Sequence, residues 1–94
     1  MSILPSDTTR QLDSKILAHR NKILGLWAAA RMGMRGEAAV EYALSLLPAE
    51  KSHDDTALLR KVCTDMSARG YPITEDDVRR QLVACARDAR ADCA

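Results

Sequence analysis

Apolar residues recur every three or four positions along most of the chain, which is the spacing of one face of an α-helix. No segment shows the period of two between apolar and polar residues that is typical of a strand. The helix breakers glycine and proline fall mainly in three places: Gly33 with Gly36, Pro48, and Gly70 with Pro72. These breaks leave four helical lengths, so the pattern predicts an all-α fold, a small four-helix bundle with a long N-terminal helix.

The first predicted helix is the longest and runs from about Asp7 to Met32. Ser6 or Asp7 can cap its start by accepting free backbone N–H groups. At 1.5 Å per residue this helix is a rod of roughly 40 Å, longer than a domain of this size needs. We therefore expect its N-terminal third to protrude from the bundle. The predicted apolar stripe of this helix consists of Leu12, Ile16, Ile23, Trp27, Ala30 and Met34.

The second predicted helix lies between Gly36 and Pro48, because proline lacks the N–H that would continue it. The third begins near Ser52, where Asp55 three residues later resembles a capping box, and it ends at Gly70 in a left-handed stop. The predicted inner face of the second helix is Val40, Ala43, Leu44 and Leu47. The predicted inner face of the third is Leu58, Leu59, Val62 and Met66.

The fourth predicted helix has the clearest start signal. Thr74 precedes three acidic residues, and Asp77 stands at the capping-box position. Acidic side chains also suit the positive end of the helix dipole. The predicted apolar stripe of this helix is Val78, Leu82, Cys85, Ala86 and Ala89.

Composition limits the classes of protein that fit. Ninety-four residues, 47% of them hydrophobic, suit one domain over 1–94. Within it we expect residues 1–19 to form an arm that continues into helix one and 20–94 to form the four-helix core. That apolar fraction and a net charge of +1 argue against a disordered chain, and the charge gives no electrostatic case for a nucleic acid as main partner. No apolar run approaches the roughly 20 residues of a membrane span, and no export signal is visible. We expect no direct membrane insertion and a cytoplasmic location.

The candidate chemistry of single residues is sparse. The three cysteines, Cys63, Cys85 and Cys93, form no closely spaced pair, and His19 and His53 stand far apart, so we expect no metal site. We interpret Cys85 as a buried hydrophobe and His19 as a residue at the edge of the core. No phosphate-binding glycine loop and no nucleophile with a base can be identified, so we expect no catalytic residue and no enzyme.

Charge is uneven along the chain, because the first helix carries five basic and two acidic residues, a local charge of +3. Together with its surplus length, this makes the first helix the element best suited to an acidic partner. We predict that Leu12 and Ile16 insert into a partner. We predict that its acidic rims contact Lys15, Arg20 and Lys22.

Three strings carry a resemblance to a known family. Residues 20–29 read Arg-Asn-Lys-Ile-Leu-Gly-Leu-Trp-Ala-Ala, residues 58–62 read Leu-Leu-Arg-Lys-Val, and residues 74–82 read Thr-Glu-Asp-Asp-Val-Arg-Arg-Gln-Leu. In this order and spacing they resemble the zeta subunit family, the bacterial inhibitor of the F-type ATP synthase. The resemblance covers roughly Arg20 to Ala89. The segment 1–19 contains no Phe and does not align with the family's inhibitory segment, so no residue of that segment is carried over.

The resemblance implies a four-helix bundle that binds the catalytic head of the ATP synthase, formed by the alpha, beta and gamma subunits. It implies that an N-terminal segment wedges into a catalytic interface and blocks rotation in the direction of ATP hydrolysis. It also implies a location peripheral to the inner membrane when bound, and weak adenine-nucleotide binding for which no residue can be named. We expect the free chain to be monomeric.

Two other functions stay open on the residues alone. A general helical interaction module would use the same long helix, with self-association through Leu17 and Leu24, which lie outside the predicted stripe. A helix-turn-helix nucleic-acid binder would use helices three and four. The acidic residues Glu75, Asp76 and Asp77 argue against nucleic-acid binding, because they would repel the phosphates of the backbone.

Overall fold

The structure, a computed structural model, describes residues 5–47 and 55–93, with side chains in the first range described from Ser14 onward. It contains four helices in this part of the chain and no strand. Their bounds are Pro5–Arg31 (α1), Glu37–Ser45 (α2), Thr56–Ala68 (α3) and Glu75–Cys93 (α4). The prediction of an all-α, four-helix fold is confirmed.

The core lies where α1 packs against α2 and α4 while α3 packs against α4 and α1. It consists mainly of side chains from α3 and α4, to which α1 adds Leu24 and Ala28, and Leu46 follows α2. The fully or nearly fully buried members are Leu24, Ala28, Leu46, Leu59, Val62, Met66, Val78, Leu82 and Cys85. The faces predicted for the third and fourth helices are confirmed for most of their members. Leu59, Val62 and Met66 of α3 and Val78, Leu82, Cys85 and Ala89 of α4 are buried, while Leu58 and Ala86 are half-buried.

The connection between α3 and α4 also follows the sequence. Gly70 adopts a φ of 84°, a left-handed conformation that glycine takes without a steric cost. At the start of α4, the Asp77 N–H donates to Thr74 Oγ1 at 3.1 Å, and the Thr74 N–H donates back to the Asp77 carboxylate at 3.3 Å. This is the reciprocal pair of a capping box, as predicted.

The predicted face of α1 is wrong in part. Leu24, Ala28 and Ala29 are fully buried, whereas Ala30 of the predicted stripe is exposed. Ile23 and Trp27 are only partly buried against the core. The reason is that two helices flank α1, and α2 covers a side formed by small residues, which a pattern of large apolar side chains does not reveal. Self-association through Leu24 is therefore excluded, because this side chain is inside the core.

The predicted inner face of α2 is right for Ala43 and wrong for its other three members. Ala43 and Leu46 are buried, but Val40, Leu44 and Leu47 are exposed by 44, 49 and 44%. Gly25 of α1 explains why α2 faces the bundle through Ala43 and Leu46. A Cβ atom built at Gly25 would lie 2.5 Å from the Ala43 Cα atom and 3.2 Å from Leu46 Cδ1. The glycine lets the two backbones approach closely along the Ala43 side of α2, so the larger residues point elsewhere.

The start of α3 differs from the prediction as well. The helix begins at Thr56 with Asp55 at the N-cap, and the Asp55 side chain makes no capping hydrogen bond. Ser52 and His53, which were predicted to open this helix, lie outside the described residues. The carboxylate of Asp55 is used instead in a contact with α1, described next.

Candidate partner-binding surface

A buried polar junction fixes α1 to the rest of the bundle. The two terminal nitrogens of Arg20 donate to the two carboxylate oxygens of Asp55 at 2.9 and 3.2 Å. The Arg20 Nε donates to Asn21 Oδ1 at 3.0 Å, and Arg20 is only 9% exposed. A two-pronged guanidinium–carboxylate contact fixes orientation as well as distance. Because its guanidinium is used inside the chain, we leave Arg20 out of the surface that could face a partner.

Asn21 completes this junction on the other side. Its Nδ2 donates at 2.8 Å to the backbone carbonyl of Leu46, the residue at the C-cap of α2, and Asn21 is buried. The last carbonyl groups of a helix lack partners within the helix, so this bond stabilises the end of α2. Two adjacent residues of α1 therefore hold the end of α2 and the start of α3. No buried side-chain polar atom in the described residues lacks a partner.

The remaining predicted contact residues lie in α1, and two of them, Lys15 and Lys22, are on its outward side. Lys15 and Lys22 are exposed and seven positions apart, so they lie on the same side of the helix. No described residue forms an ion pair with either of them. Ile16 is half-buried. Leu12 lies within α1, but its side chain is outside the described part.

His19 and Asp92 join α1 to the last turn of α4. His19 Nε2 lies 2.8 Å from Asp92 Oδ2, and both side chains are substantially exposed. The prediction that His19 sits at the edge of the core is confirmed. The last turn of α4 therefore lies beside His19 of α1. The residues of α1 well before His19 extend beyond this contact.

A shallow groove lies between the end of α1, α2 and α3. It has a volume of about 290 Å³ and is lined by Met32, Met34, Tyr42, Lys61, Asp65, Ala68 and Arg69. Within it the Tyr42 hydroxyl and the Lys61 ammonium both donate to Asp65 Oδ2 at 3.0 Å. Burial, and then the hydrogen bond to Asp65, raise the pKa of Tyr42 far above its ordinary value. These contacts make the groove a structural joint between α2 and α3 rather than a site with a free acid or base.

Cys85 and Cys63 are both held by contacts inside the bundle. Cys85 is buried, and desolvation followed by the nearby charge of Asp88 raises the pKa of its thiol to about 11. The Cys63 thiol donates to the Ile73 carbonyl at 2.9 Å. Within the ranges 5–47 and 55–93, no group of three or more potential ligands is placed to hold a metal ion. Cys85 is thus a buried hydrophobe, as predicted.

None of the described helices combines the length and the hydropathy that crossing a bilayer requires.

Sequence reasoning missed two features of α1 and α2. The burial of Arg20 and Asn21 could not be predicted from the apolar pattern, because two adjacent polar residues on a helix are ordinarily exposed to solvent. The exposed side of α2 was missed because Val40, Leu44 and Leu47 have the spacing of an inner face. A signal was nonetheless present: the run of Gly25, Ala28 and Ala29 in α1 is typical of a helix that a neighbour approaches closely.

Comparison with known proteins gives one finding. A family model described as ATPase inhibitor subunit zeta matches residues 7–92 of the chain. No curated protein gives a significant match, and neither does any solved structure. The match begins before Leu12, so the expectation that the resemblance starts only at Arg20 is wrong. The outward part of α1, with Leu12, Lys15 and Ile16, therefore lies inside the matched region.

Proposed function

Because the chain belongs to the ATPase inhibitor subunit zeta family, we propose that it binds the catalytic head of the F-type ATP synthase and restrains ATP hydrolysis by obstructing rotation. Membership of this family indicates an inhibitory and non-catalytic role in association with the ATP synthase. Our proposal adds three things to this: the binding site on the head, the residues of this chain that bind there, and the obstruction of rotation.

The outward side of α1 is the observation that carries the proposal. Lys15 and Lys22 are exposed, share one side of the helix and form no ion pair with a described residue. An amphipathic helix binds by laying its apolar side into a groove between partner elements. In this scheme Leu12 and Ile16 enter a groove between the alpha and beta subunits near gamma, and the two lysines contact acidic residues at its rim.

The bundle behind α1 supplies the resistance that an obstruction needs. The Arg20–Asp55 and Asn21–Leu46 contacts hold α2 and α3 rigidly to the middle of α1. A body fixed in this way cannot follow the inserted part of α1 into a narrow groove. It stays outside the groove and sets how deep α1 penetrates. When the chain is bound, it is located with the ATP synthase, at the periphery of the inner membrane.

The test is ATP hydrolysis by the purified cognate catalytic head, titrated with the full chain and with the double variant Lys15→Glu, Lys22→Glu. Reversing two rim charges lowers the rate of association with an acidic surface. We expect the concentration for half-inhibition to rise about ten-fold or more, with a weaker dependence on salt.

The matched control is Arg79→Glu, Arg87→Glu, which reverses two exposed charges of α4 that no described residue pairs. This control should inhibit like the original chain. If a large excess of the original chain leaves hydrolysis unchanged and no complex elutes from a sizing column, the proposal is wrong. If both double variants lose inhibition equally, general charge rather than α1 carries the binding.

Adenine-nucleotide binding, which the family resemblance implied, stays a prediction. Titration calorimetry of ATP into the free chain measures it directly. We expect heat only at high ATP concentration, and a flat titration would contradict the prediction without affecting the proposed inhibition.

A further inference from the structure

Four aliphatic side chains form an exposed apolar surface next to the α1–α2 contact. They are Leu26 of α1, Val40 and Leu44 of α2, and Leu47 just after α2, and each is between 38 and 49% exposed. We call these four residues the outer patch. Val40, Leu44 and Leu47 recur at the i, i+4, i+7 spacing, so they form one continuous line along the helix.

The geometry of the α1–α2 contact places Leu26 beside this line. Asn21 contacts Leu46 and Gly25 contacts Ala43, so the two helices run antiparallel and Leu26 lies level with the middle of α2. Leu26 follows Gly25 by one step around α1, and it is four residues from exposed Lys22. The outer patch is therefore continuous with the side of α1 that carries Lys15 and Lys22.

The patch is bordered by opposite charges on its two sides. Lys15 and Lys22 stand on the α1 side, and the exposed acids Glu37 and Glu41 stand on α2. No described residue forms an ion pair with any of these four. A complementary ligand would present an apolar ridge with acidic residues along one side and basic residues along the other.

The size of the patch distinguishes a second copy of the chain from a larger partner. Four side chains exposed to this degree offer on the order of 300 Å² of apolar surface, the size of a patch that is often functional in a monomer. A stable dimer needs about 800 Å² from each partner. The patch alone is too small for that, but it is large enough to extend an interface that α1 has already begun.

We propose that the outer patch is a second docking surface, which takes an amphipathic helix of the ATP synthase catalytic head while the outward part of α1 is inserted. The inference rests on the function proposed above and adds a named surface to it. The docked helix lies along Val40, Leu44 and Leu47 with its apolar side on the patch. Its acidic side contacts Lys22, and its basic side contacts Glu37 and Glu41.

The experiment compares two full-length variants in binding to, and inhibition of, the purified catalytic head. The first is Val40→Gln, Leu44→Gln, which removes apolar surface at exposed helix positions. The second is Val83→Gln, a matched control on α4, because Val83 is 59% exposed and lies outside the outer patch. Far-UV circular dichroism and the urea midpoint confirm that both variants fold. We expect the dissociation constant of the first to rise about ten-fold or more, mainly through faster dissociation, and that of the control to change less than two-fold.

The outcomes separate this inference from the function on which it rests. If the original chain inhibits and the Val40→Gln, Leu44→Gln variant inhibits equally well, the docking surface is wrong and the proposed function stands. If the original chain does not bind the head, both are wrong. If sedimentation shows a dimer of the free chain that the double variant abolishes, with unchanged affinity for the head, the patch serves a second copy and the inference is overturned.

Discussion

The two helical pairs of this bundle are held together in different ways. The α3–α4 pair buries Leu59, Val62 and Met66 against Val78, Leu82 and Cys85, which are the residues that form its apolar stripes. The α1–α2 pair meets through Gly25 and Ala43 and through a buried polar junction. Where helices meet through large side chains, the apolar pattern marks the contact. Where they meet through small ones, the large side chains are left outside, where a partner can reach them.

The largest expected effect tests which side of α1 is internal. Leu24→Ala should lower the free energy of unfolding by about 3 kcal/mol, because it leaves a cavity around a fully buried side chain. Leu26→Ala, two positions away and 38% exposed, should cost less than about 0.5 kcal/mol. Urea denaturation followed by circular dichroism measures both. Equal costs would contradict the assignment of Leu24 to the core.

The second prediction concerns the close approach of α1 and α2. Gly25→Ala should destabilise the chain by about 2 kcal/mol, although alanine is the better helix former by about 1 kcal/mol. The new methyl group would lie 2.5 Å from the backbone of Ala43, so α2 must shift. Ala30→Val, at an exposed position of the same helix, is the control and should cost less than about 1 kcal/mol. A stabilised Gly25→Ala chain would show that the two helices are not in contact there.

The third prediction concerns the polar junction. Asp55→Ala should cost about 1.5 kcal/mol, because it leaves the buried Arg20 guanidinium without its carboxylate. The cost stays below that of a fully buried pair because the Asp55 side chain is 43% exposed. Asp92→Ala, which removes the exposed pair with His19, should cost less than about 0.5 kcal/mol. If the two variants unfold at the same urea concentration, the junction contributes no more than a surface ion pair.

The smallest effect belongs to the α3–α4 pair. Thr74→Ala should cost about 1 kcal/mol through loss of the helix cap, whereas Thr64→Ala at an exposed position of α3 should be neutral or slightly stabilising. The hydrogen bonds from Thr74 lower the pKa of Asp77 below its ordinary value. A carboxyl with a lowered folded pKa stabilises the fold above its unfolded pKa, and that contribution is lost as pH falls through the folded pKa.

The pH dependence of the free energy of unfolding gives a second test of the Thr74→Ala variant. The difference in stability between the original chain and Thr74→Ala should be constant near neutral pH. It should narrow as pH falls from the ordinary pKa of an aspartate, about 4, through the lowered folded pKa of Asp77. Unfolding curves collected between pH 7 and pH 2.5 measure this. A difference that widens in acid would contradict the reciprocal capping hydrogen bonds between Thr74 and Asp77.

The sequence predicted the four helices, the caps of α4 and the core of α3 and α4, because each depends on side chains that are close in the chain. It did not predict which side of α2 is buried or that Arg20 contacts Asp55. Both depend on contacts between α1 and residues that are distant from it in the sequence. The candidate surface was predictable for Lys15 and Lys22, which are solvated in any packing of α1. The outer patch was not predictable, because the spacing of its residues is also that of a buried helix face. Only the close contact at Gly25 shows that this side of α2 is exposed.

The junction on α1 also has a practical consequence for labelling the molecule. Because Asn21 holds the end of α2 and Arg20 holds the start of α3, both anchor points of the intervening segment are fixed to the same helix. Lengthening a connection between fixed anchors adds only about 0.6 kcal/mol for each doubling of its length. A short epitope or a dye-bearing peptide inserted between Leu47 and Asp55 should therefore label the chain at little cost in stability, while the described helices keep their places.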